Sequence, residues 1–485
     1  MVTLCISIGI LTAGYWIYGK VLEKVFGADP ERPTPAVYKA DGVDFVEMPL
    51  WKIFLIQFLN IAGLGPIFGA VAGALWGPVA FLWIVLGSLF AGGVHDYFCG
   101  MMSVRHNGES VSEVSGYYLG NWIKQFMRGF TVLLMVIVGA VFLLGPAKIL
   151  AGMTEGTIGL FGWTMIILVY YILSTILPID KIIGRFYPVF GFALVFMSLG
   201  LFAAMILKGM DVPELGLSSF TNSHYKPDDF PVFPMLFVTI ACGAVSGFHA
   251  TQSPMMARCI TNEKQGKKVF FGAMLTEGVV ALIWAAISMS FFGGVKELNM
   301  EMLQNGDNTA LVVNQISNGA LGVLGGLLAV LGVVAAPITS GDTSFRSARI
   351  IIADVLKTDQ KSVKNRLLIS IPLFLAGYLL TLVNFGVIWR YFAWTNQMLA
   401  TIVLWTVTVY LIRQGKNYWI ALVPSVFMTA VVTAYILLAP EGFSLPVDLS
   451  VTSGIITAFA VMAVVLFRVQ GIRREKFKPE EYVKP

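Results

Sequence analysis

The stretch Thr239-Ile240-Ala241-Cys242-Gly243-Ala244-Val245-Ser246-Gly247-Phe248-His249-Ala250-Thr251-Gln252-Ser253-Pro254 decides the fold. It lies inside an apolar run, 233–257, long enough to cross a bilayer as a helix. Yet its centre holds glycines, hydroxyls, an imidazole and an amide, each costly at bilayer depth unless partnered. Gly243 and Gly247 lower the cost of unwinding. The run therefore predicts a broken membrane helix. Such breaks are tolerated where they line a cavity.

The surrounding composition agrees. The chain has 485 residues, 57% hydrophobic and 13% charged, with a mean hydropathy of +0.77. A soluble domain carries about 45–50% apolar and about 25% charged residues. A disordered chain would be polar and charge-rich. What remains is a polytopic membrane protein. The net charge of +5 is spread along the chain and forms no basic patch interleaved with aromatics, so no nucleic-acid partner is expected. Cys5, Cys99, Cys242 and Cys259 form no CxxC and sit in or beside apolar runs, as small buried hydrophobes do.

Thirteen spans are predicted: 2–19, 51–75, 78–102, 129–150, 158–178, 187–207, 233–257, 268–293, 319–340, 367–387, 391–412, 418–439 and 451–468. The first is no cleavable signal, because Lys20 and Lys24 follow it instead of preceding it. With the N-terminus outside, all of the 33 Lys and Arg fall inside except Lys148, Lys208, Lys226, Lys296 and Arg390. The C-terminal tail, 469–485, is then cytoplasmic, and the expected location is the plasma (inner) membrane. Residues 28–48 and 341–366 read as long inner loops, and 297–318 as an outer segment holding a short surface helix.

Span two reads Asn60-Ile61-Ala62-Gly63-Leu64-Gly65-Pro66. Pro66 removes a backbone donor and clashes with the preceding turn, so this span should break as well. Spans two and seven lie five apart and run in opposite directions. That is the pattern of an inverted repeat of five helices plus five, each opening on a discontinuous helix. The predicted domain is a single bundle. Its first repeat is 51–207 and its second 233–412, with one extra helix at 2–19 and two at 418–468. A solute site is expected between Gly63, Gly65 and Pro66 and the stretch Gly243, Ser246, Gly247, His249, Thr251 and Gln252. Two half-helix N-termini would face it, favouring an anion. No span has a central arginine, which favours one carboxylate over two.

Glu277 lies about ten residues into span eight, and a deep carboxylate is a candidate coupling site. His95 and Asp96, read as near the cytoplasmic end of span three, form a local ion pair or a gate. Span nine ends in Ala335-Ala336-Pro337-Ile338-Thr339-Ser340-Gly341-Asp342-Thr343-Ser344, whose oxygens suit a hard cation or a capped helix end. HExxH and G-x-x-x-x-G-K-[ST] are both absent, so neither a metalloprotease nor a nucleotide motor is indicated. No enzyme is expected.

Ile61-Ala62-Gly63-Leu64-Gly65-Pro66, Gly92-Gly93-Val94-His95-Asp96, Ile240 to His249, and Asp342 with Arg346 and Arg349 carry a resemblance to the carbon starvation (CstA) transporters. It runs from about residue 28 to residue 354. The chain is shorter than the longer members. It has Ile56-Gln57-Phe58-Leu59-Asn60 where those carry paired histidines. The resemblance implies a plasma-membrane transporter related to the amino acid–polyamine–cation group, serving peptide or pyruvate uptake under nutrient stress. It also implies the five-plus-five leucine-transporter fold. In sodium-coupled members of that fold a cation sits between the first broken helix and the eighth core helix, here span nine. Ala336, Thr339 and Ser340 match its ligands, and Asp342 joins His95 and Asp96 as a gating candidate. The expected protein is a secondary transporter importing a small organic anion or peptide by alternating access. Protons or sodium are the coupling ion, and no other cofactor is expected. A membrane-embedded nutrient sensor that binds without transporting is the alternative. The partners are the small solute and the bilayer.

Overall fold

Apolar runs of Leu, Val, Ile and Phe form helices throughout, because in hydrocarbon each backbone N–H and C=O must be satisfied within the chain. The computed structural model describes residues 1–41, 45–154, 156–176, 179–358, 360 and 362–472. The tail 473–485 and the side chains of Lys181 and Arg185 lie outside the described residues. Among those described, every regular element is helical.

Ten helices are long and apolar enough to cross a membrane. The pair Leu50–Ile61 and Gly65–Trp76, bent by 46°, makes an eleventh crossing as one span. The other two expected spans are a shorter apolar helix, Leu160–Ile176, and the interrupted run 232–257. The protein is a multi-pass all-α membrane protein. Spans three, four, eight and eleven form the interior, with 83–94% of their most apolar windows buried. Spans one, ten and thirteen lie at the rim, with 17–28% buried. Spans twelve and thirteen pack on each other and on span eleven.

Both expected breaks are present. Span two unwinds at residues 62–64, and its second half starts with Pro66 in the first turn, where a missing N–H is harmless. Span seven is non-helical from Ile240 to Ser246 and resumes at Gly247. The tight turn at Trp76-Gly77-Pro78 also forms, with Gly77 at a φ of 79°.

Span nine departs from expectation. The helix Thr309–Leu328 is broken at Gly322, whose φ is 61°, and then runs on through 329–335 into Ala336–Leu356. The crossing stretch is Gly325–Ala353, not 319–340. The expected inner loop 341–366 is therefore mostly helix. The polar residues that mark an end to a hydropathy reading point into the protein here: Ser340, Asp342, Ser344 and Arg349 are all buried.

Lys and Arg gather where the ends of spans one, three, seven and eleven meet, here called the basic face. Arg105 donates from Nε and Nη2 to the two oxygens of buried Glu263, each at 3.1 Å. Arg105 also donates to the Gly27 carbonyl at 2.7 Å and to the Tyr410 hydroxyl at 3.3 Å. Lys416 reaches the Phe26 carbonyl.

Candidate functional site

The two breaks meet. A Cβ added at Gly65 would collide with the side chain of Cys242, and one added at Gly243 would lie 2.7 Å from Ala281 and 3.7 Å from Pro66. Gly243 also has a φ of 89°, which L side chains rarely adopt. Gly63 faces the Phe142 ring, and Gly247 lies against the backbone of Asn396 and Ala400.

Unwinding seven residues exposes backbone groups that no water in the bilayer core could satisfy. Span three supplies two partners: Trp83 Nε1 donates to the Ile240 carbonyl at 3.0 Å, and Ser88 Oγ to the Gly243 carbonyl at 2.7 Å. Span eleven supplies the others. Asn396 Oδ1 accepts from the Phe248 N–H at 2.5 Å, in the first turn of the second half-helix. Asn396 Nδ2 donates to Ser246 Oγ at 2.9 Å and to Cys242 Sγ at 3.4 Å. Gln397 Nε2 donates to the Phe237 carbonyl. Asn396 was not singled out from the sequence. Its signal was Thr395-Asn396-Gln397, a polar trio inside an otherwise apolar helix.

A cluster of ionisable side chains lies directly behind the break in span seven. Asp96 Oδ1 accepts from His95 Nδ1 at 2.7 Å, and its Oδ2 accepts from His249 Nδ1 at 2.9 Å. The other face of that imidazole, Nε2, lies 3.4 Å from Glu277 Oε2. All four side chains are fully buried. Beyond that 3.4 Å approach, neither Glu277 oxygen nor His249 Nε2 makes a well-aligned hydrogen bond, and His95 Nε2 makes none. His95 and Asp96 lie about two thirds of the way along the helix Val79–Arg105, toward its Arg105 end. Asp96 bonds across to span seven as well as to its neighbour.

The remaining candidates lie elsewhere. Thr251 Oγ1 donates back to the Phe248 carbonyl at 2.7 Å, and Gln252 Nε2 donates to Thr251 Oγ1 at 2.9 Å. Gln252 Oε1 is buried without a partner. Thr339 and Ser340 both donate to the Ala336 carbonyl, at 2.6 and 3.2 Å. Asp342 accepts from Ser174 and pairs with Arg346 at 3.5 Å. A groove of about 670 Å³ lies between spans one, two and eight, lined by Leu11, Tyr15, Trp51, Phe54 and Leu275, away from the breaks.

Comparisons with known proteins agree with this architecture. The family described as "Carbon starvation protein CstA" matches residues 1–162, 161–329 and 308–435. The peptide transporter CstA of Campylobacter jejuni is 25% identical over 87% of this chain and 78% of its own length. The pyruvate/proton symporter BtsT of Escherichia coli is 28% identical over 57% of this chain and 47% of its own. An inward-facing structure of Mhp1 superposes with a TM-score of 0.50 at 15% identity, covering 90% of this chain and 95% of that one. It supports the leucine-transporter fold alone.

Proposed function

The chain belongs to the carbon starvation CstA family and is a secondary transporter, not an enzyme; from that premise we propose that it imports a small monocarboxylate of the pyruvate kind. The solute is held between the two broken helices, and a cation gradient drives uptake. Peptides are the second substrate class, after the relative from Campylobacter jejuni. The observation carrying this reading is the contact between the two breaks at Gly65, Cys242 and Gly243. Next to that contact the two second half-helices begin, at Gly65 and Gly247, and their dipoles favour a carboxylate. In the structure the breaks touch, so solute enters when they part.

The coupling cation offsets the buried carboxylates of Asp96 and Glu277. The proton is the first choice, after the relative named a proton symporter. Sodium at the oxygens of Ala336, Thr339 and Ser340 is the second, favoured by the gathering of those oxygens on one helical turn. Asp342, with Arg346 and Ser174, is assigned to a gate. The repeat boundaries 51–207 and 233–412, the plasma membrane, and an outside N-terminus complete the proposal.

Purified protein in liposomes tests it. Labelled pyruvate should accumulate under an inward proton gradient and leak out when that gradient is collapsed. Accumulation under sodium alone would move coupling to span nine. Saturable binding without accumulation under either gradient would favour a sensor instead.

A further inference from the structure

The geometry points to a binding site for one thiophilic divalent cation, of the zinc or cobalt kind, held by Cys242 Sγ, His249 Nε2 and the Glu277 carboxylate. These three donors come from the break in span seven, its second half-helix and span eight, and their ligand atoms all lie within 4.8 Å of one another. All three side chains are buried. Glu277 Oε1 and Oε2 and His249 Nε2 point into the group, and beyond their own 3.4 Å approach none makes a well-aligned hydrogen bond. A bound cation would satisfy the remaining lone pairs.

The spacing of the imidazole nitrogen and the carboxylate oxygen suits a metal. A tetrahedral zinc ion bonds imidazole nitrogen at about 2.0–2.1 Å and carboxylate oxygen at about 2.0–2.2 Å, which holds those two atoms about 3.3–3.5 Å apart. His249 Nε2 and Glu277 Oε2 are 3.4 Å apart. A metal-bound histidine usually donates its other N–H to a carboxylate, which fixes the tautomer and aims the free nitrogen. Asp96 does this for His249, accepting from Nδ1 at 2.9 Å. The thiolate is also provided for: Asn396 Nδ2 and Ser246 Oγ both lie 3.4 Å from Cys242 Sγ. Binding forms the metal–sulfur bond and releases the thiol proton to solvent. Sulfur, imidazole and carboxylate together select zinc or cobalt over sodium, magnesium or calcium. Three protein donors leave a fourth position for water or a solute oxygen. A bound ion would also tie the break of span seven to span eight, so it should inhibit transport.

The site rests on its donors and holds whichever cation drives uptake. Chelator-stripped protein, mixed with excess zinc and desalted, should retain about one zinc per chain, and excess magnesium should not displace it. Cobalt should give a thiolate-to-metal charge-transfer band. Cys242→Ser should lose the band, and Glu277→Gln should weaken zinc binding. Asp96→Asn, which touches no donor atom of the metal, should weaken it about 10–100-fold. A wild-type cobalt spectrum without the sulfur band, or zinc retention equal in wild type and Cys242→Ser, overturns the site. The cobalt spectrum needs only the wild-type protein, so a variant that fails to fold leaves the test intact. Pyruvate uptake is measured separately in chelator. Metal binding without uptake would remove the substrate and keep the site; uptake without metal binding would do the reverse.

Discussion

In the proposed reading, Asn396 occupies the place of the solute carboxylate. Its amide oxygen accepts the Phe248 N–H in the first turn of the second half-helix, where partial positive charge collects. An anionic solute must displace that amide or share the turn with it. Asn396→Asp puts a fixed carboxylate there, so pyruvate KM in liposomes should rise about tenfold or more, with the protein still monodisperse. Asn396→Ala should instead lower stability by about 1–3 kcal/mol, the cost of orphaning buried donors, read by thermal unfolding. A second residue-scale effect concerns His224, in the segment between spans six and seven. Its ring lies 4.6 Å from Trp76 and 4.7 Å from Phe230 between centroids. Burial there pushes the imidazole down to about 4, and its Nδ1 accepts from the Lys226 N–H. The unfolded chain takes up that proton near pH 6.5, before the folded one does. Stability is thus fully present above about 6.5 and falls as pH drops from there to about 4, by up to about 3 kcal/mol. His224→Phe should flatten that part of a thermal-unfolding pH series.

At the scale of elements, the breaks were legible because Gly, Pro and polar side chains in an apolar run have few other uses. Span two needed only Gly63, Gly65 and Pro66, and span seven its crowd of hydroxyls and His249. Span nine was misplaced because hydropathy stops at the first polar residue, whereas Ser340, Asp342 and Arg349 continue the helix with buried side chains. Glu277 and His249 were visible one at a time. Their meeting with Asp96 was not, since pairing across three spans leaves no local pattern. Another such pairing joins the Arg105 guanidinium to Glu263, holding the end of span three against the connection between spans seven and eight. Glu263→Gln leaves Arg105 without its carboxylate, a loss of about 3 kcal/mol. Cys259, buried four residues away, should then react faster with maleimide, as read by peptide mass. An unchanged rate would show that this pair does not close the basic face.

Across the whole molecule, span one is a rim helix with only 28% of its most apolar window buried, yet it is fastened at both ends. At its start, Glu214 Oε1 accepts from the Val2 N–H at 2.8 Å and Oε2 from the Thr3 N–H at 2.6 Å. Burial opposes ionisation of Glu214, but these hydrogen bonds and the terminal ammonium prevail and hold its carboxyl down at about 2. At its far end, the Phe26 and Gly27 carbonyls are gripped by Lys416 and Arg105. Between these anchors run 25 helical residues, about 37 Å of nearly inextensible rod. Such a helix acts as a tie-rod between the two faces. A tilt that pulls on the Glu214 anchor is felt at the Arg105 anchor, because a hydrogen-bonded helix does not stretch to absorb it. In the proposed alternating-access cycle, this rim helix links movement at one end of the bundle to movement at the other.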